Sequence, residues 1–123
     1  MTGEETIRRF WEIQDSGDYT QLVPLFAEDA VVVDPIYGTF RGREAIGGFM
    51  AKMVEEMGAQ QTSFTVEEIG GADAPDGHGV VWAQWIADTP RGKIQGCGLY
   101  RTYGGQLTYY RDYMNAAAET EGG

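Results

Sequence analysis

A chain of 123 residues, 42% hydrophobic and 12% aromatic, has the size and composition of one folded domain with a single core. Nine Lys and Arg against nineteen Asp and Glu give a net charge of −10, which argues against the basic face that a nucleic acid or an anionic membrane needs. One cysteine, Cys97, excludes an intramolecular disulfide and a cysteine-built metal cage. The one histidine, His78, lies in a Gly/Asp/Pro-rich loop, a poor setting for a Ser–His or Cys–His pair. No apolar run approaches the ~20 residues of a membrane span. The polar N-terminus lacks a signal-peptide core, so a cytoplasmic location is expected.

Thr2 and Glu5 form a capping box that opens a first helix through Ile7, Phe10, Trp11 and Gln14, with Gly17 as its stop. Asp18 with Gln21 signals a second, short helix through Leu22, Leu25 and Phe26, with Pro24 tolerated near its first turn. The β-branched run from Ala30 to Asp34, including Val32, reads as a strand stopped by Pro35. Ile36 to Gly42 is a turn-rich connection. A third helix follows from about Arg43 to Met57, with Ile46, Phe49, Met50, Met53 and Met57 along one stripe and Gly58 closing it.

The remainder reads as β structure. Gln61 to Ile69 and Val80 to Ala87 are strands joined by a loop over 70–79. The turn over 88–92 leads into Lys93–Tyr103, and Gly104-Gly105 makes a hairpin into Leu107–Asn115. Residues 116–123 form a polar tail, expected to fray. The order predicts an α+β domain spanning 1–123, a curved mixed or antiparallel sheet wrapped around three N-terminal helices. The mouth of such a cone is a natural small-molecule pocket.

The last strand sets the functional question. Period-two geometry puts Tyr110, Asp112 and Met114 on one face and Tyr109, Arg111 and Tyr113 on the other. Neither face is plainly the wet one. A carboxylate on a covered, aromatic-rich face is a candidate for acid–base chemistry. Asp34, before Pro35, fits a turn-capping role as well as a catalytic one. Trp82, Gln84 and Ile86 share a face of their strand, and Trp85 lies on the other. Ile94, Gly96 and Gly98 alternate on the next strand, where glycines leave space for a ligand or for a large neighbouring side chain. No phosphate-cradling loop or metal-spaced cluster is present, so no cofactor is expected.

Phe26-Ala-Glu-Asp-Ala30, Asp34-Pro35, Gly38-x-x-x-Gly42-Arg-Glu-Ala-Ile46 and the closing Gly105-Gln-Leu-Thr-x-x-Arg111-Asp-Tyr-Met-Asn115 resemble SnoaL-like and ketosteroid-isomerase-like domains. These belong to the nuclear transport factor two-like superfamily, and limonene-epoxide hydrolases share a similar closing strand. The resemblance implies a cone-shaped fold whose members include isomerases, cyclases, dehydratases, hydrolases and non-catalytic binders. It implies that the isomerase's general base falls on Asp34. The isomerase's tyrosine donor falls on Phe10, which has no hydroxyl, and its protonated acid falls on Gly98. The hydrolase's last-strand aspartate falls on Asp112. In an ungapped reading its Arg-x-Asp pair falls on Trp82 and Gln84, which turns those two inward.

On this basis Asp112, Asp34, Gln84 and Tyr110 are the expected catalytic set. Phe10, Trp11, Gln14, Val32 and Tyr37 are expected to contact the substrate, with Met50, Met53, Trp82, Ile94, Gly98 and Met114 completing the pocket. The expected activity is cofactor-independent proton transfer on a small apolar carbonyl compound, of isomerase, cyclase or dehydratase type. Epoxide hydrolysis through Asp112 and non-catalytic ligand binding are the alternatives. Outward Arg111 and Tyr113 are expected to meet a second copy in a homodimer.

Overall fold

Thr2 and Glu5 start the first helix as the capping-box pattern predicts. The Glu5 amide donates to Thr2 Oγ1 at 3.1 Å, and the Thr2 amide donates back to Glu5 Oε1 at 2.8 Å. A further free amide at this helix end, that of Gly3, donates to the Asp73 carboxylate at 3.0 and 3.1 Å. The computed structural model describes residues 1–16, 21–59 and 62–114. The helix, α1, spans Gly3–Ser16 and buries Thr6, Ile7, Phe10, Trp11 and Ile13, one stripe at helical spacing. The expected stop at Gly17, the cap at Asp18, the strand start at Gln61, Asn115 and the tail over 116–123 lie outside the described residues.

The second helix is absent as an α-helix. Among the described residues only a 3-10 turn, Val23–Leu25, lies between α1 and the first strand, so two α-helices stand where three were expected. The physical reason lies in Pro24 and Phe26. Proline removes an amide that a longer helix would need. Phe26 already belongs to β1 (Phe26–Asp34), fully buried and edge-on to Phe10 with ring centroids 6.3 Å apart. The expected connection 36–42 also holds a short strand, β2 (Gly38–Arg41), which folds back on β1 from Asp34↔Gly38 to Val31↔Arg41. Helix α2 then runs Arg43–Ala59.

Strands β3 (Ser63–Asp73), β4 (His78–Thr89), β5 (Gly92–Tyr103) and β6 (Gln106–Met114) form an antiparallel meander. The expected loop over 70–79 shrinks to a turn, because Gly70 to Asp73 continue the ladder against Trp82 to Gly79. Strand β1 pairs parallel to β6, giving one six-stranded mixed sheet in the order β2-β1-β6-β5-β4-β3. The sheet is curved and open, and α1 lies across β3 to β6 while α2 packs on β1 and β2. The α+β cone expected from the order of elements is the fold observed.

Register fixes which side chains face the helices. Val81, Ala83, Trp85 and Ala87 of β4 are buried, while Trp82 is 39% exposed and Gln84 is exposed. The inward placement of Trp82 and Gln84 is therefore corrected: β4 is turned by one residue relative to the ungapped reading. Trp85 pairs with Gly96 on β5, and Ala83 with Gly98. The alternating glycines make room for neighbouring rings. A Cβ at Gly96 would lie 2.3 Å from Trp85 Cζ2, and one at Gly98 would lie 2.7 Å from the Tyr100 hydroxyl oxygen.

Such an approach makes Gly96 a packing position that tolerates no methyl. Gly96→Ala is expected to lower stability by ~1–3 kcal/mol, the usual cost of overpacking a tight core. Urea unfolding followed by tryptophan fluorescence measures this, and an unchanged midpoint would show that Trp85 has free space to move.

Candidate active site

Residues two apart on a strand share a face, and β6 uses this to stack Tyr110 and Asp112 over the inner side of the sheet. The Tyr110 hydroxyl donates to Asp112 Oδ2 at 2.6 Å. Tyr110 pairs across the ladder with Tyr100 on β5 and with Val32 on β1. The two tyrosine rings stack with centroids 4.6 Å apart and planes 12° apart. Phe10 of α1 closes over both, edge-on at 5.8 Å to Tyr100 and 5.6 Å to Tyr110. Each such aromatic pair is worth ~0.5–1.5 kcal/mol beyond burial, so Tyr110 is held firmly and in turn fixes the carboxyl.

Asp34 arrives from β1, two residues after the inward Val32. Its Oδ1 accepts the amides of Ile36 at 2.8 Å and Tyr37 at 2.9 Å, the turn-capping role that an aspartate before proline suggests. It also lines the same cavity as Asp112. That cavity, about 60 Å³, is bounded by Phe10, Trp11, Gln14, Val32, Asp34, Phe49, Met50, Met53, Phe64, Trp85, Tyr110 and Asp112. Among the described residues the two aspartates are the only carboxyl groups in the lining, and no Lys, Arg or His joins them.

Burial dominates the electrostatics. Loss of solvent pushes the Asp112 carboxyl from the ordinary 3.8 up to about 7. The Tyr110 hydroxyl opposes the rise by hydrogen bonding to the charged form, and the negative charge of Asp34 adds to it. The indole N–H of Trp85 is near enough to oppose the rise slightly, yet it lies outside hydrogen-bonding geometry and both it and Asp112 Oδ1 stay buried without a partner. Burial also raises the Tyr110 and Tyr100 hydroxyls well above 10, with the Asp112 charge as the next cause, so both remain protonated donors. The arrangement is a carboxyl group that stays partly protonated at neutral pH, in the same aromatic pocket as Asp34.

The structure brings together Asp112, Asp34, Tyr110, Phe10, Trp11, Gln14, Val32, Met50 and Met53 at one cavity. It sets the other expected contacts elsewhere. Gln84 donates to Glu67 at 3.3 Å on the exposed face, and Trp82 shares that face. Gly98 is covered by Tyr100, and Ile94 is a core residue outside the lining. Met114 packs against the core beyond the cavity wall.

Tyr37 is 37% exposed and turned to α2, where its hydroxyl donates to Glu56, the main cause of a pKa raised to about 12. Its ring buttresses Phe49 at 5.9 Å from outside, as the stacked Phe40 does at 4.3 Å. Phe49, Phe64 and Trp85 line the cavity without having been expected to. Gln84, the one polar residue between Val80 and Ala87, marks the wet face of β4 and so could have turned Trp85 inward.

A SnoaL-like domain family model matches residues 7–110. The chain belongs to the SnoaL-like domain family. No curated protein matches the sequence. Among solved structures, a protein from Kribbella flavida superposes with a TM-score of 0.77 at 13% identity, over 98% of this chain and 93% of that one. A Bacillus subtilis protein provisionally named an isomerase gives 0.70 at 21% identity, over 98% and 91%. The Anabaena orange carotenoid protein, which binds canthaxanthin, gives 0.74 at 18% identity; the match covers 91% of this SnoaL-like chain but 36% of the carotenoid protein. At such identities these structures share the fold. Among the described residues no group of three or more His, Cys, Asp or Glu could hold a metal ion, and no helix is long and apolar enough to cross a membrane.

The raised Asp112 pKa has a stability consequence with a definite sign. Below about pH 4 the carboxyl is neutral folded and unfolded. Between about pH 4 and 7 the unfolded chain releases this proton and the folded chain keeps it, so this group's contribution to stability falls as pH rises. At ~1.4 kcal/mol per pH unit, the full loss is on the order of 4 kcal/mol. Asp112→Asn has no proton to lose. Its melting temperature is expected to exceed that of the wild type by roughly 10 °C at pH 8 and to converge with it near pH 4. Parallel thermal melts across this range test it, and a constant difference would refute the burial account.

Proposed function

We propose that this SnoaL-like domain is a cofactor-independent enzyme that moves a proton within a compact, uncharged carbonyl compound, an isomerase-type reaction. One observation carries the reading: a part-buried Asp112 carboxyl, hydrogen-bonded to Tyr110 and holding its proton up to about pH 7, faces the same small cavity as Asp34. In this scheme the Asp34 carboxylate takes a proton from the carbon next to the carbonyl. Asp112 gives its proton to the carbonyl oxygen, so a neutral enol forms rather than a bare enolate. Returning the protons, Asp112 recovering that of the enol oxygen and Asp34 delivering its own to a different carbon, completes an isomerisation with no net change in the enzyme. Tyr110 holds the acid in place and stabilises it when it is ionised. Hydrolysis of an epoxide fits less well, because no cationic side chain lines the cavity to grip the oxygen.

The β,γ-unsaturated isomer of cyclohexenone is small enough to test this. The expected result is growth of the conjugated-enone absorbance, with activity falling as pH rises through about 7 and Asp112 loses its proton. Asp112→Asn and Asp34→Asn are each expected to reduce the rate by roughly 10²-fold or more. Binding of the enone with neither isomerisation nor deuterium uptake from heavy water, across a panel of compact enones, would turn the reading to a ligand-binding domain.

A homodimer through the outer sheet face belongs to the same proposal. Val80 is 43%, Trp82 39% and Tyr113 50% exposed there, and Arg111 lies over the Tyr113 ring at 5.0 Å. Light scattering is expected to give twice the monomer mass, and Trp82→Glu to halve it; a monomeric wild type would remove this part of the reading.

A further inference from the structure

Buried polar groups in folded proteins are nearly always paired. Leaving one unpaired costs about 1–3 kcal/mol. Among the described residues, five buried side-chain atoms have no partner, and three of them belong to residues of this cavity: Trp11 Nε1, Trp85 Nε1 and Asp112 Oδ1. Trp11 and Trp85 are 4% and 3% exposed, held by Phe64, which contacts Trp11 at 6.5 Å and Trp85 at 5.3 Å between ring centroids. Trp85 is pinned further by its seat over Gly96, where no Cβ intervenes. Each indole N–H has one polar neighbour, the Tyr100 hydroxyl for Trp11 and the Asp112 carboxyl for Trp85, near enough to oppose that group's rise in pKa yet outside hydrogen-bonding geometry, so two residues of a cavity of about 60 Å³ carry unsatisfied donors.

An indole N–H can only donate, so whatever completes the site must accept. The lining offers two carboxyl groups and no cation, which disfavours a carboxylate or phosphate. Its remaining wall is aromatic and aliphatic and its volume is small, which selects a compact molecule that is mostly hydrocarbon. We infer that the indole N–H groups of Trp85 and Trp11 are the seat for the acceptor oxygen of an uncharged carbonyl ligand, with Asp112 beside that oxygen. This makes the two tryptophans positioning and specificity residues. It deepens the proton-transfer reading and rests on it for the choice of a carbonyl.

The protein carries three tryptophans, and the third, Trp82, lies on the outer face and serves as an internal reference. Nitrogen-15 spectra of the intact chain resolve their indole N–H signals, which Trp85→Phe and Trp11→Phe assign. Adding conjugated cyclohexenone, which has no aromatic ring current of its own, is expected to move the Trp85 and Trp11 signals downfield and leave Trp82 in place. Methylenecyclohexane is a hydrocarbon of similar size with a carbon in place of the oxygen and a saturated ring, and is expected to move neither signal downfield. Trp85→Phe is expected to weaken cyclohexenone binding about three- to tenfold, the worth of one hydrogen bond, without weakening methylenecyclohexane.

Unmoved indole signals up to the solubility limit of cyclohexenone overturn the inference, as do equal shifts with the two probes. These readouts involve no turnover. Isomerisation by a protein whose indoles stay silent would defeat the seat and leave the proton-transfer reading intact. Shifted indoles without turnover or deuterium uptake would do the reverse.

Discussion

Asp112 is the group on which the rest of the site depends, because the fold buries a carboxyl and gives it only one full hydrogen bond. Ionising it there costs on the order of 4 kcal/mol more than in water, as its pKa of about 7 expresses. That is a large fraction of the ~5–15 kcal/mol by which domains of this size are stable. The neighbours limit the cost without abolishing it. Tyr110 donates at 2.6 Å, and the Tyr110–Tyr100–Phe10 ring stack keeps that hydroxyl from swinging away. A better-satisfied carboxylate would have an ordinary pKa and would be useless as an acid at neutral pH. Stability and reactivity are opposed at this one residue.

The cavity exists because large and small residues alternate across the sheet. Trp85 occupies the space above Gly96 and Tyr100 that above Gly98, so these rings lie flat along β5 instead of filling the centre of the cone. On the opposite side Phe49 is fixed by Phe40 and Tyr37, which carry the β1–β2 hairpin against α2. Met50 and Met53 supply the remaining wall. Methionine is unbranched and adapts readily, so this side of the cavity can yield to a ligand while the indole and carboxyl side keeps its geometry.

Much of the architecture was legible in the residues. The capping box, the β-branched run ending at Asp34 and the Gly104-Gly105 turn each carry a local physical signal, and each appears where it was read. Signals that depend on distant partners were not legible. A proline two residues before a buried phenylalanine is compatible with a helix until the strand partner of Phe26 is known, and that partner is Leu107, far along the chain. The face of β4 was misassigned for a related reason. Nearly every residue from Val80 to Ala87 is apolar, so period two gives little contrast, and borrowing the phase from an ungapped comparison shifted Trp82 and Gln84 inward in place of Trp85. Tyr110 and Asp112 were easier, because the resemblance supplied a phase that the ladder with β5 and β1 reproduces.

The departures from the isomerase pattern at Phe10 and Gly98 have a spatial answer. A sheet with one face covered is a grid, and a side chain can be moved to an adjacent grid point while its functional atom stays in nearly the same volume. Gly98 pairs across the ladder with Asp112, so the acid missing from β5 has a neighbour on β6 on the same face. The ring of Phe10, which cannot donate, lies 5.6 Å from that of Tyr110, which can. Sequence position therefore understates what the cavity holds, since the two positions that lack the isomerase's tyrosine and acid coincide with two polar residues facing the same space from β6. On the proposed reading the site is a relocated acid and donor pair. The relocation also places the acid next to Trp85, whose N–H has no other partner. That juxtaposition distinguishes this chain's cavity from one built on the helix tyrosine, and it makes Trp85 on the inner face of β4, together with Trp11 on α1, the place where substrate preference would be altered by mutation.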